Sequence, residues 1–196
     1  MTLTPAELPI LFQDAMVQAI LDGRKTVTRR TSDRWAKVPA GTLLWVREAH
    51  VIVDGPCWTS LPRRHEPDGE RRVAYYRTGF DRCRPSHRWR PSIHMPRWAS
   101  RLTLRVVDVR RERAAPEWAR YWYRSTDGDI VYVGDSHGFP GWTALPHPFE
   151  ALPHVDDAEA RLEGVADRAA YLALWEAING PVMPAFVYRV AFEVLR

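Results

Sequence analysis

The sequence predicts an α+β fold: a small β-barrel with a few packing helices and a long irregular insertion at about 114–154. Runs of strand-forming residues recur along the chain without the regular strand–helix alternation that is typical of parallel sheets. Only two or three short segments place apolar residues at helical spacing. Nine tryptophans and sixteen prolines among 196 residues favour short strands, rigid turns and large rings for packing or stacking. This length suits a single domain over residues 1–196.

The first elements are a short strand and a short helix. Residues 10–12 (ILF) form an apolar run that predicts the strand. Residues 14–22 (DAMVQAILD) place apolar side chains at helical spacing, which gives the helix one apolar face. Asp14 favours the start of this helix, and Gly23 suits a left-handed residue after its last turn.

The segment GRKTVTRR, residues 23–30, leads out of this helix into an extended stretch. In a strand, Thr26, Thr28 and Arg30 share one face. Lys25 and Thr28 point to opposite faces of a regular strand, so the preceding turn has to re-aim the lysine if the two act together.

Three further strands follow in the middle of the chain. Residues 43–53 and 73–78 are rich in strand formers, and residues 54–72 between them are polar, with two Asp-Gly turn signals. A proline-interrupted loop precedes the third strand, at about 102–109. Its alternation places four residues on one face, namely Leu102, Leu104, Val106 and Asp108.

The last part of the chain combines the insertion with two helices and a strand. Residues 114–154 are rich in aromatic side chains without a regular pattern, as in lids and binding loops. Residues 156–164 predict a short helix, and residues 167–180 predict a longer one that Asp167 caps. The alternating pattern of residues 186–196 predicts the final strand.

Positive charge is concentrated in one region. Residues 24–111 contain 21 lysines and arginines against 8 aspartates and glutamates, a local net charge of +13, whereas the whole chain carries +4. Such a field is typical of proteins whose partners carry phosphate. The charge therefore favours RNA, a nucleoside or a nucleotide as the ligand of a basic cleft, with arginine-rich strands of no binding role as the alternative.

The sequence favours a cytoplasmic protein with no cofactor. It has neither a signal-peptide pattern nor an apolar run of the roughly 20 residues that a membrane helix needs. The two cysteines do not suggest a disulfide framework. The spacing of two cysteines and two histidines is too loose for a compact zinc site, so no metal is predicted; these are Cys57, His65, Cys83 and His87.

Four segments in order resemble the ASCH-domain proteins of phages, prophages and bacteria, which belong to the PUA-like superfamily of small β-barrels. They are "ILF…AILDGRKTVTRR", "GTLLWVREAH", "WRPSIHMPRWASR" and "LWEAING". The resemblance covers residues 10–113 and 155–196. It implies a PUA-like barrel that binds RNA or a modified base, and it leaves the insertion without a counterpart.

One branch of this family, the bacterial N4-acetylcytidine amidohydrolases, carries a "GRKTxTxR" segment. The resemblance implies catalytic roles for Lys25, Thr28 and Glu163. The hydroxyl of Thr28 would serve as nucleophile, and Glu163 would hold the lysine or protonate the leaving amine. Lys25 acts as base only in its neutral form, which burial and neighbouring positive charge favour. Glu48 is the alternative for the acidic role.

Further residues are predicted to bind the ligand. Arginine beside aromatic rings suits a base stacked on a ring with its phosphate held nearby, although the tryptophans also suit packing at a barrel end. The predicted ligand-binding residues are Arg24, Thr26, Arg30, Arg47, Glu48, Trp89, Arg90, His94, Arg97 and Trp98. Arg47 and Glu48 are alternatively an internal ion pair.

Three functions remain open from the sequence. The first is amide hydrolysis on a modified cytidine, and the second is binding of RNA or a modified base without chemistry. The third is a ribonuclease that uses the same lysine, with His94 or His50 in acid–base work. RNA affinity without product formation would favour the second function, and strand scission would favour the third.

Overall fold

The computed structural model describes residues 6–55, 63–67, 72–79, 88–114, 122–124, 130–132, 143–144, 155–179 and 186–195. Within these ranges the protein is an α+β fold in which strands predominate, as the sequence predicts. Cys57, Cys83, His87 and most of the predicted insertion lie outside the described residues.

The described ranges contain eleven strands and three α-helices. The first eight elements are β1 (Glu7–Leu11), α1 (Asp14–Leu21), β2 (Val27–Arg30), β3 (Leu43–Arg47), β4 (His50–Asp54), β5 (Arg63–His65), β6 (Arg72–Tyr76) and β7 (Thr103–Arg113). The others are β8 (Trp122–Arg124), β9 (Ile130–Tyr132), β10 (Thr143–Ala144), α2 (Asp157–Leu162), α3 (Arg168–Asn179) and β11 (Phe186–Leu195). Three short 3₁₀ turns lie at Asp33–Lys37, Ser92–His94 and Arg97–Ala99.

The chain divides into two compact units. Unit 1 consists of Met1–Thr26, Pro39–Asp108 and Ala191–Arg196. Unit 2 consists of Val27–Val38 and Val109–Val190, so strands β7 and β11 contribute residues to both. The single domain over residues 1–196 remains a prediction.

The largest sheet has five strands in the order β1-β3-β7-β11-β2. Strand β1 runs parallel to β3, with Ile10 opposite Val46, and β3 runs antiparallel to β7, with Leu44 opposite Leu104. A second sheet, in the order β4-β6-β5, is antiparallel. Pairing among the described strands follows these open orders, and closure into a PUA-like barrel remains a prediction.

Three short strands lie within the segment that the sequence predicts to be irregular. They form an antiparallel sheet in the order β10-β8-β9. The prediction of an irregular insertion is therefore wrong for these strands. Their two or three residues each are too few to display an alternating pattern.

Helix α1 forms where the apolar spacing predicts it. Its buried side chains are Val17, Ala19 and Ile20. Gly23 follows the helix with φ 74°, a left-handed conformation that is accessible to glycine because it has no Cβ. The backbone N–H of Lys25 then donates to the carbonyl of Ala19. Lys25 therefore lies in the turn ahead of strand β2, which begins at Val27, and strand alternation does not fix its direction.

The predicted strand over residues 43–53 is two strands with a break at Glu48 and Ala49. The reason is a change of partner, because β3 pairs with β1 and β7, whereas β4 pairs with β6. This corner and the segment that follows strand β6 contain most of the predicted ligand-binding residues.

Each unit has its own apolar cluster. In unit 1, one cluster lies between β4 and β6 and consists of Val51, Val53, Val73 and Tyr75, with Trp89 packed against it. A neighbouring cluster comprises Ala74, Tyr76, Met95 and Ala99, with Ile52 and Trp98 packed against it. In unit 2 the cluster comprises Ala114, Val155, Ala160, Tyr171, Trp175 and Val187.

Candidate nucleic-acid interface

Two arginines lie close to the Trp45 ring in unit 1. The guanidinium of Arg47 lies 5.2 Å from the centre of the Trp45 ring, and that of Arg97 lies 5.9 Å from it. Trp45 is half-buried in strand β3, and its ring is held beside Arg97, which also pairs with Glu7. An indole flanked by guanidiniums is the kind of surface on which a base can stack while a cation holds its phosphate.

Residues 88–98 lie against this corner of unit 1. His50 and Arg90 pair through their backbones, with N···O distances of 3.2 and 2.8 Å. The Arg47 guanidinium donates to the carbonyl of Ile93. Arg90 and His94 are exposed, so this segment brings cationic and imidazole side chains to the surface of unit 1.

The two predicted tryptophans of this segment have packing roles. Trp89 and Trp98 are both half-buried, each against one of the apolar clusters of unit 1. The Arg72 guanidinium lies 5.9 Å from the Trp98 ring centre. Their partial exposure leaves part of each ring at the surface, so packing and ligand contact are compatible.

His50 is fully buried at the start of strand β4. Its Nδ1 lies 3.2 Å from the backbone carbonyl oxygen of Glu48, and its Nε2 has no partner among the described residues. Burial lowers the pKa of His50, the Glu48 carbonyl raises it, and the charges of Arg90, Arg47 and His94 lower it further. The net shift is downward, so the imidazole is neutral at pH 7.

Glu48 is held by Arg101 rather than by Arg47. Nε and Nη2 of Arg101 each lie 2.9 Å from one oxygen of the Glu48 carboxylate, a two-pronged pair that neighbouring side chains bury. The Arg101 guanidinium also lies 4.2 Å from the Tyr76 ring centre. Burial raises the pKa of Glu48, and the hydrogen bond and charge of Arg101 oppose that rise without cancelling it. The alternative of an internal Arg47–Glu48 ion pair is therefore wrong.

Lys25 is also fully buried in unit 1. Its Nζ lies 5.7 Å from the centre of the Phe12 ring, and Phe12 in turn packs against Phe192 at 6.2 Å between ring centres. A buried amine beside aromatic rings is a chemically distinctive group, because lysine side chains are seldom fully buried.

Unit 2 contains a buried ionic cluster centred on Arg29. The side chain of Arg29 is fully buried and its three nitrogens reach three carboxylates. The distances are 2.9 Å to Glu112, 2.9 Å to Glu159 and 3.1 Å to Glu163. Arg189 pairs with Glu159 at 2.8 Å. The cluster joins strands β2, β7 and β11 to helix α2.

The pKa values in this cluster reflect its pairing. Burial lowers the pKa of Arg29, but Glu163, Tyr171 and the other two glutamates raise it above its ordinary value. Burial raises the pKa of Glu159, and the hydrogen bonds and charges of Arg189 and Arg29 lower it to about 2. At neutral pH Arg29 and Glu159 are therefore both charged and form an ion pair.

The predicted catalytic residues lie in different units. Thr28 and Glu163 belong to unit 2, and Lys25 to unit 1. The Thr28 hydroxyl oxygen accepts a hydrogen bond of 2.8 Å from Arg30. Glu163, which follows helix α2, accepts from Arg29. Both predicted groups of unit 2 thus have arginine partners.

Several other predicted ligand-binding residues already have protein partners. Arg24 is exposed and pairs with Asp22 at 2.8 Å, whereas Thr26 is half-buried and its carbonyl accepts from the backbone of Phe192. Sequence reasoning missed Arg29, Arg101 and the unpartnered nitrogen of His50. Arg29 stands within the segment 23–30, but its partners are 83 to 134 residues away, so nothing local indicates its role.

The described ranges contain neither a metal-binding group nor a membrane-spanning helix. There, no group of histidine, cysteine, aspartate or glutamate side chains is arranged to hold a metal ion. Of the helices in those ranges, none has the length and apolar character needed to cross a membrane.

No protein-family model, no curated protein and no solved structure matches this chain.

Proposed function

We propose that this protein is an ASCH-type, PUA-like protein that binds RNA or a nucleoside through the surface around Trp45. The observation that carries the proposal is the indole of Trp45 flanked by Arg47 and Arg97, at 5.2 and 5.9 Å. Stacking on an aromatic ring and charge pairing with phosphate are the two interactions that single-stranded nucleic acids require. The net charge of +13 over residues 24–111 supports an electrostatic contribution from the surrounding region.

The described contacts also explain which charges would contribute. Arg24, Arg72 and Arg97 pair with acidic side chains, which offsets part of their charge. Arg90 and His94 are exposed in the same segment that contains Arg97. The proposal therefore assigns stacking to Trp45 and Arg47, and phosphate attraction chiefly to Arg90.

Trp45→Ala should weaken binding of a single-stranded RNA octamer about tenfold or more, because stacking contributes about 1–3 kcal/mol per base. Trp45→Phe, which keeps a ring, should stay within about threefold of the wild type on the same principle. Fluorescence anisotropy of a labelled octamer measures both. Arg161→Ala removes one exposed charge from helix α2 and controls for a general electrostatic effect. Equal losses for Trp45→Ala and Arg161→Ala would contradict the assignment.

Amide hydrolysis of N4-acetylcytidine is the second candidate. It follows from the resemblance of "GRKTVTRR", and the complete burial of Lys25 beside Phe12 favours it. A hydrolysis of this kind needs a base, and a lysine withdrawn from water is a group suited to that task. The Thr28 hydroxyl, which is the nucleophile that the resemblance implies, accepts from Arg30, so its own hydrogen is directed to a group other than Arg30.

Incubation of the wild type with N4-acetylcytidine should release cytidine and acetate, which chromatography separates. Lys25→Ala and Thr28→Ala should each lower the rate at least about a hundredfold if the lysine is the base and the threonine the nucleophile. Release by the wild type and both variants alike would point to a contaminant. No release by the folded wild type would exclude this activity on the free nucleoside, and strand scission of the octamer would favour a ribonuclease instead.

A further inference from the structure

A hydrogen-bond acceptor and a hydrogen-bond donor are buried without partners at the corner between strands β3 and β4. They are Nε2 of His50 and Nε of Arg47, and neither has a partner in the described part of the chain. Most buried polar atoms in native proteins are paired, because leaving one unpaired costs free energy. Two such atoms three residues apart, both in unit 1, therefore point to a bound partner.

The contacts of His50 determine which ring nitrogen donates a hydrogen bond and which accepts one. Its Nδ1 lies 3.2 Å from the carbonyl oxygen of Glu48, and a carbonyl only accepts, so Nδ1 carries the hydrogen. Burial holds the pKa of His50 below its ordinary value, and the nearby cations add to this. In the neutral ring Nε2 then presents a lone pair and acts as an acceptor. Arg47 Nε can only donate.

One acceptor and one donor together fit a phosphate poorly as the bound group. A phosphate offers acceptors to Arg47, but its oxygens would face the lone pair of His50. A nucleobase edge instead carries an N–H donor next to a ring nitrogen or carbonyl acceptor. The Trp45 ring, with the Arg47 guanidinium 5.2 Å from its centre, supplies a stacking surface beside Arg47, and His50 follows Arg47 by three residues.

We propose that Arg47 and His50 read the hydrogen-bonding edge of a nucleobase that stacks beside Trp45. The base would donate to Nε2 of His50 and accept from Nε of Arg47. This inference rests on the proposed function, because it requires that RNA or a nucleoside binds at this surface. It assigns base selection to these two residues and leaves phosphate attraction to the surrounding cations.

Access to the two atoms involves the segment 90–94. That segment is held against the corner by the backbone pairing of Arg90 with His50 and by the bond from Arg47 to the carbonyl of Ile93. The side chains of Ile93 and His94 are exposed, so no buried apolar contact of theirs opposes a shift. A base edge that reaches Nε2 displaces this segment outward.

The test measures the affinities of three RNA octamers, composed only of A, only of C or only of U. The wild type should bind the best of them about tenfold more tightly than the worst, as expected for an edge read by two hydrogen bonds. His50→Asn keeps an N–H near the position of Nδ1 but has nothing at the position of Nε2. Arg47→Lys keeps the charge and removes the Nε donor. Both variants should reduce the difference to about twofold while the salt dependence of binding stays the same.

Arg161→Ala, on the outside of helix α2, should keep the base preference of the wild type. Thermal unfolding of each variant shows whether it is folded. His50→Gln is a second variant at this position. Its amide can reach the position of Nε2, so it should restore part of the base preference. Wild-type binding without any base preference would overturn the inference and leave the proposed function standing, as would a full preference in His50→Asn and Arg47→Lys. Absence of RNA binding by the wild type would overturn the proposed function itself and the inference with it.

Discussion

Arg29→Met lowers the free energy of unfolding by about 3–5 kcal/mol, the cost of removing one partner from a buried ion pair. The substitution removes the Arg29 guanidinium from two buried carboxylates, Glu112 and Glu163, and leaves Glu112 paired with the exposed Arg110 and, at 3.8 Å, with Arg189. Arg189 still pairs with Glu159, so part of the cluster survives. Methionine has a similar length and no charge, so the loss reports on the ionic interactions more than on packing. Urea unfolding at pH 7 measures the change.

Arg110→Met is the matched control for this experiment. Arg110 also donates to Glu112, at 2.9 Å, but its side chain is 55% exposed. Exposed ion pairs contribute about 0–1 kcal/mol, so the control should change the free energy of unfolding by no more than that. If Arg29→Met costs as little as Arg110→Met, the cluster does not stabilise unit 2 as described.

Arg101→Met should cost a similar amount, about 3–5 kcal/mol at pH 7, because Glu48 is only 1% exposed and loses its two-pronged partner. The effect should depend on pH. Burial already raises the pKa of Glu48, and removal of Arg101 raises it further. The loss in the free energy of unfolding of Arg101→Met is then smallest below about pH 4, where the carboxyl of Glu48 is protonated in both the folded and unfolded states.

The difference in the free energy of unfolding between wild type and Arg101→Met should therefore grow as the pH rises from about 4 to 8. Over this range the unfolded chain releases the proton of Glu48, whereas the folded variant has to keep that proton or bury an unpaired charge. Urea unfolding at several pH values measures this. Arg105→Met removes one partner of the exposed pair with Glu193 and should show a change of at most about 1 kcal/mol at pH 7. A pH-independent loss in Arg101→Met would indicate that packing on Tyr76, not the charge of Glu48, dominates.

Helices and strands whose formation depends on neighbouring residues could be predicted from the sequence. Helix α1 follows from the apolar spacing of residues 14–22, and its end follows from Gly23, whose φ of 74° suits glycine. Strand β7 buries Leu104 and Val106 on one face as the alternation predicts, and Leu102, just ahead of the strand, is buried too. Helix α3 begins after Asp167, which accepts from the N–H of Ala170 at 2.8 Å as an N-cap should.

Features that depend on distant partners could not be predicted. The corner at Glu48 and Ala49 falls inside a continuous run of strand formers, and the two strands separate because they pair with different neighbours. The buried role of Arg29 requires glutamates more than 80 residues away. In the candidate site, the sequence singled out Arg47 and the aromatic loop, but the unpartnered Nε2 of His50 depends on the Glu48 carbonyl that fixes its tautomer.

The position of Lys25 illustrates the same limit. Alternation along a regular strand places it on the opposite face from Thr28. In the structure, helix α1 ends with a glycine turn and strand β2 starts only at Val27. Lys25 therefore lies outside the strand, and its side chain is buried beside Phe12. Tertiary packing, rather than strand geometry, sets the direction of this side chain.

Binding of single-stranded RNA by the surface around Trp45 should show in a salt titration of the wild type. Affinity for a labelled RNA octamer is measured by anisotropy from about 50 to 300 mM salt. If three or four phosphates are neutralised, log K should fall with log salt at a slope of about −2 to −3, and Trp45→Ala should lower the affinity at every salt concentration without changing the slope. No measurable binding at the lowest salt, or equal RNA affinities of the wild type and Trp45→Ala, would show that this surface does not bind RNA.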